Sequence, residues 1–158
     1  MEGLSLRDIL AEIVAEKKGI VAAAKRKLTL ADIKSQINPD CFKMGHSLKK
    51  GDWNLIAECK LQSPAKGRLN STNTVTELAH IYEDNGAAML SVHTDPHFLG
   101  SNDDFIKVRK EIKLPLLRKD FVIDEYQLYE ARLLGANAVL LIARILSPAQ
   151  LKEYLFTT

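Results

Sequence analysis

Short apolar runs recur along this chain at a spacing of roughly 25–30 residues, separated by amphipathic segments that open on a helix-capping residue. Few folds accommodate that rhythm. The runs fall at 55–60, 88–93, 115–121 and 138–143, and each reads as a buried strand. Thr74 with Glu77 caps the helix after the first run, which continues through Leu78, Ile81 and Tyr82 to Gly86. Ser101 with Asp104 caps the next, which carries Phe105, Val108 and Ile112. Asp124 with Gln127 caps the third, Tyr126 to Leu134, closed by Gly135. Ser147-Pro148 opens a fourth, with proline at its first helical position. Parallel strands cannot be joined by tight turns, so crossover helices of this kind imply an α/β domain with a parallel sheet.

The first 52 residues follow a different pattern. Leu6, Ile9, Leu10, Ile13, Val14, Val21, Ala24 and Leu28 form one helical stripe over 5–28, with Ser5 and Asp8 as its capping signature. Lys17, Lys18, Lys25, Arg26 and Lys27 crowd its second half and read as a solvated basic face favoured by the helix dipole. Thr29 and Asp32 open a shorter helix that stops before Asn38-Pro39, and residues 38 to 52 read as a loop. The expected division is therefore a helical extension and loop over 1–52, followed by the strand–helix repeats over 53–158.

Four strand–helix units permit a doubly wound open sheet or the first half of a (β/α)₈ barrel. Polar residues separate the two. A doubly wound sheet buries both faces of its central strands in apolar contacts. Here Glu58 and Lys60 share one face of the first strand by alternation, and Lys119 lies near the end of the third. Charges from several strands converging on one rim describe the catalytic face of a barrel. No Gly-x-x-x-x-Gly-Lys or Gly-x-Gly-x-x-Gly turn is present, which weakens a nucleotide-binding reading.

Composition excludes several classes. A formal net charge of +2 is too small to argue for nucleic acid. The most apolar window, Leu133 to Leu146, is broken by Gly135, Asn137 and Arg144 and is too short for a bilayer. No signal peptide is visible at the N-terminus. The two cysteines, Cys41 and Cys59, have no disulfide or zinc spacing, so a reducing, cytoplasmic compartment is expected.

The stretch Glu58-Cys59-Lys60-Leu61-Gln62-Ser63-Pro64-Ala65-Lys66-Gly67 resembles the first-strand motif of the indole-3-glycerol-phosphate synthase family. The resemblance continues through Leu90-Ser91-Val92-His93-Thr94-Asp95, Phe98-Leu99-Gly100-Ser101 and Gly135-Ala136. It is strongest at Pro115-Leu116-Leu117-Arg118-Lys119-Asp120-Phe121-Val122-Ile123-Asp124. The fold it implies is the TIM barrel, here its first four βα units (a half-barrel) behind an N-terminal helical extension. The activity it implies belongs to tryptophan biosynthesis. It is closure of 1-(2-carboxyphenylamino)-1-deoxyribulose 5-phosphate to indole-3-glycerol phosphate, with loss of CO₂ and water and no metal or organic cofactor.

In that resemblance Lys119 matches the general acid that protonates the ribulose carbonyl. Lys60 matches the group that holds the substrate carboxylate and is a candidate donor in the later dehydration. Glu58 orients and charge-balances the lysines. Ser63 and Phe121 match substrate contacts, and Phe98 is a candidate contact for the anthranilate ring. His93 stands where the family usually has an apolar residue and reads as a tolerated polar substitution. Cys59 faces the helices and is expected to pack as a small apolar group.

The resemblance stops within the fourth helix. Strands five to eight, a second catalytic glutamate, an asparagine near the substrate and the phosphate site fall beyond it. A chain ending here is expected to turn over slowly or not at all. It would also expose sheet edges prone to self-association, so a non-catalytic half-barrel that pairs or docks is the alternative expectation. A truncated gene, part of a longer chain and a half that pairs with another chain all remain open.

Overall fold

The computed structural model describes residues 6–37, 48, 51, 53–63, 65–69 and 72–157. The Ser5 cap, Cys41, Pro64 and nearly all of the 38–52 loop lie outside the described residues. The N-terminal extension consists of α1 (Leu6–Lys27) and α2 (Leu30–Gln36). The Thr29 hydroxyl accepts from the Asp32 N–H at 3.2 Å and the Asp32 carboxylate accepts from the Thr29 N–H at 3.2 Å, so the expected capping box forms. After it come β1 (Ile56–Cys59), β2 (Gln62–Ser63), β3 (Gly67–Arg68), α3 (Val75–Asp84) and β4 (Met89–His93). Then follow α4 (Asn102–Glu111), β5 (Leu116–Lys119), α5 (Tyr126–Leu133), β6 (Ala138–Val139) and α6 (Pro148–Thr157).

Strands β1, β4, β5 and β6 form one parallel sheet in chain order. Its register decides which side chains share a face. Glu58 pairs with Ser91, Cys59 with Val92, Leu90 with Leu116, and His93 with Lys119. Cys59, Leu90, Val92 and Leu116 therefore lie on one face. They form a single core with Val75, Leu78 and Ala79 of α3, Phe105 and Val108 of α4, Ile112 just past it, and Ala131 of α5. Burying an aromatic side chain such as Phe105 completely contributes about 1.5–3 kcal/mol. Three successive helices on one face exclude the doubly wound arrangement, which places helices on both. The opposite face carries Glu58, Ser91, His93 and Lys119.

The strands are shorter than the apolar runs. The third ends at Lys119, not Phe121, because Asp120 turns its carboxylate back to accept the Phe121 N–H at 2.7 Å. The expected strand 138–143 then loses its pairing partner and ladders only at Ala138 and Val139. The loop after β1 contains an unforeseen antiparallel hairpin, β2 with β3. The α5 cap is also shifted. Asp124 accepts from the Tyr126 N–H at 2.9 Å, while the Gln127 side chain takes the Ile123 N–H at 2.9 Å, so the two do not close a reciprocal box. The helix ends at Gly86 and Gly135 follow expectation, with φ of 84° and 92°.

Val21 of α1, Ile33 of α2 and Tyr126 of α5 form a second apolar cluster that docks the extension on the repeats. Its polar counterpart corrects the reading of Lys17 as part of a solvated face. Lys17 is 3% exposed, and its ammonium lies 2.7 Å from Asp95 and 2.6 Å from Asp120, both buried. Position decides this: Lys17 falls on the side of α1 turned toward the strand ends. Arg118 continues the network on the helix-covered face, reaching Glu130 at 2.7 Å, the Thr94 hydroxyl at 3.1 Å and Asn102 at 3.1 Å. Among the described residues no helix is long and apolar enough to cross a membrane. Removing the ammonium that bridges two buried carboxylates leaves under-compensated charge in the interior. Lys17→Ala is expected to cost about 3–5 kcal/mol, read as a lower urea midpoint at neutral pH.

Candidate active site

Parallel strands in chain order present all their carboxyl ends at one edge, so side chains there converge without further design. Glu58 is the third residue of β1, while His93 and Lys119 are the last residues of β4 and β5. The β1 and β5 strands are two ladder steps apart, about 10 Å. A glutamate and a lysine reaching toward each other across β4 close that gap. Lys119 Nζ donates to Glu58 Oε1 at 2.9 Å. The same oxygen is in hydrogen-bond contact with Nε2 of His93, which sits between them. Glu58 and Lys119 remain about one-third exposed, whereas the His93 ring is buried.

Aromatic rings form the neighbouring wall. His93 stacks on Phe98 with centroids 4.7 Å apart and planes 19° from parallel, and Phe121 lies 6.2 Å beyond Phe98. Lys60 follows the end of β1, and its ammonium lies 5.3 Å from the Phe98 centroid. Glu58 thus pairs with Lys119; among the described residues it makes no ion pair with Lys60. His93, Phe98, Lys119, Asp120, Phe121, Leu140 and Ile142 line a small cavity of about 50 Å³. A larger hollow of about 640 Å³ lies between α1 and the helix-covered side, where Lys17, Asp120 and Arg118 are engaged with one another. The small cavity, not the large one, faces the lysine–carboxylate cluster.

Phe98 is placed by a tight turn. The Asp95 side chain accepts from the His97 N–H at 2.9 Å, Leu99 adopts a left-handed φ of 56°, and Gly100 returns onto the end of β4. A Cβ on Gly100 would meet the His93 carbonyl oxygen at 2.5 Å, so only glycine lets the turn lie this close. The β2–β3 hairpin leans on the same turn through Gln62, whose amide donates to the His97 carbonyl at 3.3 Å. Ser63 on that hairpin stays local, its hydroxyl accepting from the Lys66 N–H at 3.1 Å. The structure therefore gathers Glu58, Lys60, Phe98, Lys119 and Phe121, and leaves Ser63 engaged in its own turn.

Electrostatics follow from the contacts. Burial alone would raise the Glu58 carboxyl, but the hydrogen bonds from Lys119 and His93 outweigh it and hold the group below the usual carboxylate range. Burial pushes the His93 imidazole below its usual value despite the attraction of Glu58, and Lys119 and Lys60 add to the lowering. The Cys59 thiol, on the other face, is pushed up to about 12 by burial and the Glu58 charge, which suits the expected packing role. Among the described residues no three His, Cys, Asp or Glu side chains stand together as metal ligands do. His93 is the residue that sequence reasoning undervalued. Its inward alternation from Ser91 was the available signal.

A chain-order parallel sheet with helices on one face and a lysine–carboxylate–aromatic cluster at its carboxyl edge defines an α/β protein with an enzyme-like rim. The family model for indole-3-glycerol phosphate synthase matches residues 10–157, and the chain belongs to that family. An indole-3-glycerol phosphate synthase from Ruminiclostridium cellulolyticum is 39% identical over 152 residues, covering 93% of this chain and 58% of that protein. One from Leptospira interrogans is 46% identical over 110 residues, 69% of this chain and 44% of that protein. One from Clostridium acetobutylicum is 43% identical over 143 residues, 87% and 54% respectively. The chain spans about half the length of the curated relatives it matches.

The two lowered groups set a sign for acid stability. Unfolded histidine binds a proton that folded His93 resists, so its contribution is complete above the ordinary value of 6.5 and declines as pH falls below it. The Glu58 contribution is present above 4.5 and is lost as pH falls through its folded value. The urea midpoint of the chain is expected to drop on acidification from about pH 7 to about pH 4, first through the His93 window and then through that of Glu58. In His93→Gln the upper part of that drop should shrink; an unchanged slope contradicts the assignment.

Proposed function

We propose that this chain carries part of the catalytic rim of an indole-3-glycerol phosphate synthase, in tryptophan biosynthesis. That enzyme is a lyase converting 1-(2-carboxyphenylamino)-1-deoxyribulose 5-phosphate to indole-3-glycerol phosphate, and the rim would sit on the first four units of a (β/α)₈ barrel. Chain-order strands and one-sided helices support the barrel geometry. The observation that carries the chemistry is the Lys119 ammonium held 2.9 Å from Glu58 beside an aromatic-walled cavity.

An ammonium has three N–H donors. Glu58 occupies one and leaves two for the substrate. In the proposed reaction the ring carbon bearing the carboxylate bonds to the ribulose carbonyl carbon, and Lys119 delivers a proton to the carbonyl oxygen as charge develops there. The carbon–carboxylate bond then breaks, releasing CO₂ and returning its electron pair to the ring. The hydroxyl takes a proton from Lys60, the candidate donor, and leaves as water, while the neighbouring carbon between it and the nitrogen gives up a proton to complete the indole ring. Lys60, whose ammonium lies beside Phe98, would hold the substrate carboxylate until CO₂ is lost. Phe98 and Phe121 offer faces for the anthranilate ring. Ser63 would contact substrate once its hydroxyl leaves the Lys66 turn. Indole fluorescence formed from the substrate tests the assignment. Lys119→Ala is expected to lower the rate about 10²–10⁴-fold, and an unchanged rate removes Lys119 as the acid.

A second reading is self-association without catalysis. It is favoured by the apolar surface beside β1, where Trp53 is fully exposed and Leu55 and Ile56 are 63% and 47% exposed. A second copy covering this edge would raise the mass measured by light scattering as concentration increases. A constant monomer mass rejects that reading.

A further inference from the structure

His93 is where the two parts of the rim meet. Its Nε2 contacts Glu58 Oε1, the oxygen that also accepts from Lys119 at 2.9 Å. Its flat face lies on Phe98 at 4.7 Å, and Phe98 carries the Lys60 ammonium 5.3 Å from its centroid. The ring is 5% exposed and ends a strand whose preceding residues are all buried, so it has little freedom of its own. Glu58 is different. It is half-buried on a neighbouring strand, and a single bond to a flexible lysine would let its carboxylate swing about that bond. A second donor from β4 removes that freedom. A leucine in this place could pack on Phe98 but would offer Glu58 nothing.

We propose that His93 is a positioning residue: its Nε2–H fixes the Glu58 carboxylate that presents Lys119, and its ring seats Phe98 beneath Lys60. The contact rests on geometry, while its catalytic consequence rests on the ring-closure reading above. The charged groups facing the imidazole are Glu58 from β1, Lys60 just past it, and Lys119 from β5. Asp95, two residues on, is engaged by Lys17 and His97 instead. Burial keeps the imidazole neutral near pH 7, so it enters the bond as an uncharged donor. A charged ring would compete with Lys119 for the one carboxylate. A neutral ring orients it and leaves the ion pair intact.

Two arms test the proposal. In ¹⁵N-edited imidazole spectra of the 158-residue chain, the four histidine signals are assigned by single His→Gln substitutions. His93 is expected as the Nε2–H tautomer, with a midpoint below about 6.5 that falls further in Glu58→Gln, because the carboxylate charge is what favours the cation. A ring that titrates as a free imidazole, with the same midpoint in both proteins, overturns the contact. In the second arm the carboxyphenylamino-deoxyribulose phosphate named above is turned over by wild type, His93→Leu and His93→Gln. The leucine variant is expected to lose about tenfold or more in kcat with KM little changed, and glutamine, which keeps an N–H donor, to recover most of it. Equal rates in the two variants remove the positioning role. A wild-type chain without turnover is what part of a catalytic rim alone would give, and the spectra then decide the His93 assignment.

Discussion

A carboxylate withdrawn partly from water must find donors, and Glu58 finds them on two other strands. That requirement governs the rim. Its bond to Lys119 spans the width of β4, and its contact with His93 fills the space between. The three residues belong to separate strand–helix units, so the cluster can form only when β1, β4 and β5 are laddered in their observed register. Displacing any one of these strands by one residue would turn its side chain toward the helices. The rim and the sheet are therefore one construction: the ladder aligns the charges, and the charges penalise a slipped ladder.

The helix-covered side solves the opposite problem. Lys17, Asp95, Asp120 and Arg118 are too deeply buried to rely on water, so each is paired with an opposite charge. Asp120 follows directly on Lys119, and Asp95 lies two residues past His93. The ion cluster that docks α1 thus holds the backbone at the base of the rim. Asp120 serves twice, since turning its carboxylate to the Phe121 N–H ends β5 where Lys119 is presented. Gly100 adds a steric condition by letting the Phe98 turn lie against the backbone of His93.

Much of this was legible in the order of residues. Periodicity located the strands and helices, and the Thr29, Thr74 and Ser101 caps formed as read, because a capping interaction spans only three residues. Alternation placed Glu58 and Lys119 on the inward face, which is a local property of a strand. Strand lengths were misjudged because pairing depends on a neighbour: Leu140 to Ile142 are apolar enough for a strand but meet no continuing ladder.

What the order of residues determined by itself was the alternation of elements, their caps, and the face each strand residue occupies. All of these arise from contacts within a few residues. Only the tertiary structure decided that Lys17 is buried between two carboxylates, that Glu58 serves Lys119 rather than Lys60, and that His93 lies between Glu58 and Phe98. Apart from the His93–Phe98 stack, those contacts join residues dozens of positions apart. Their energies depend on burial and on distances that do not exist until the sheet is assembled.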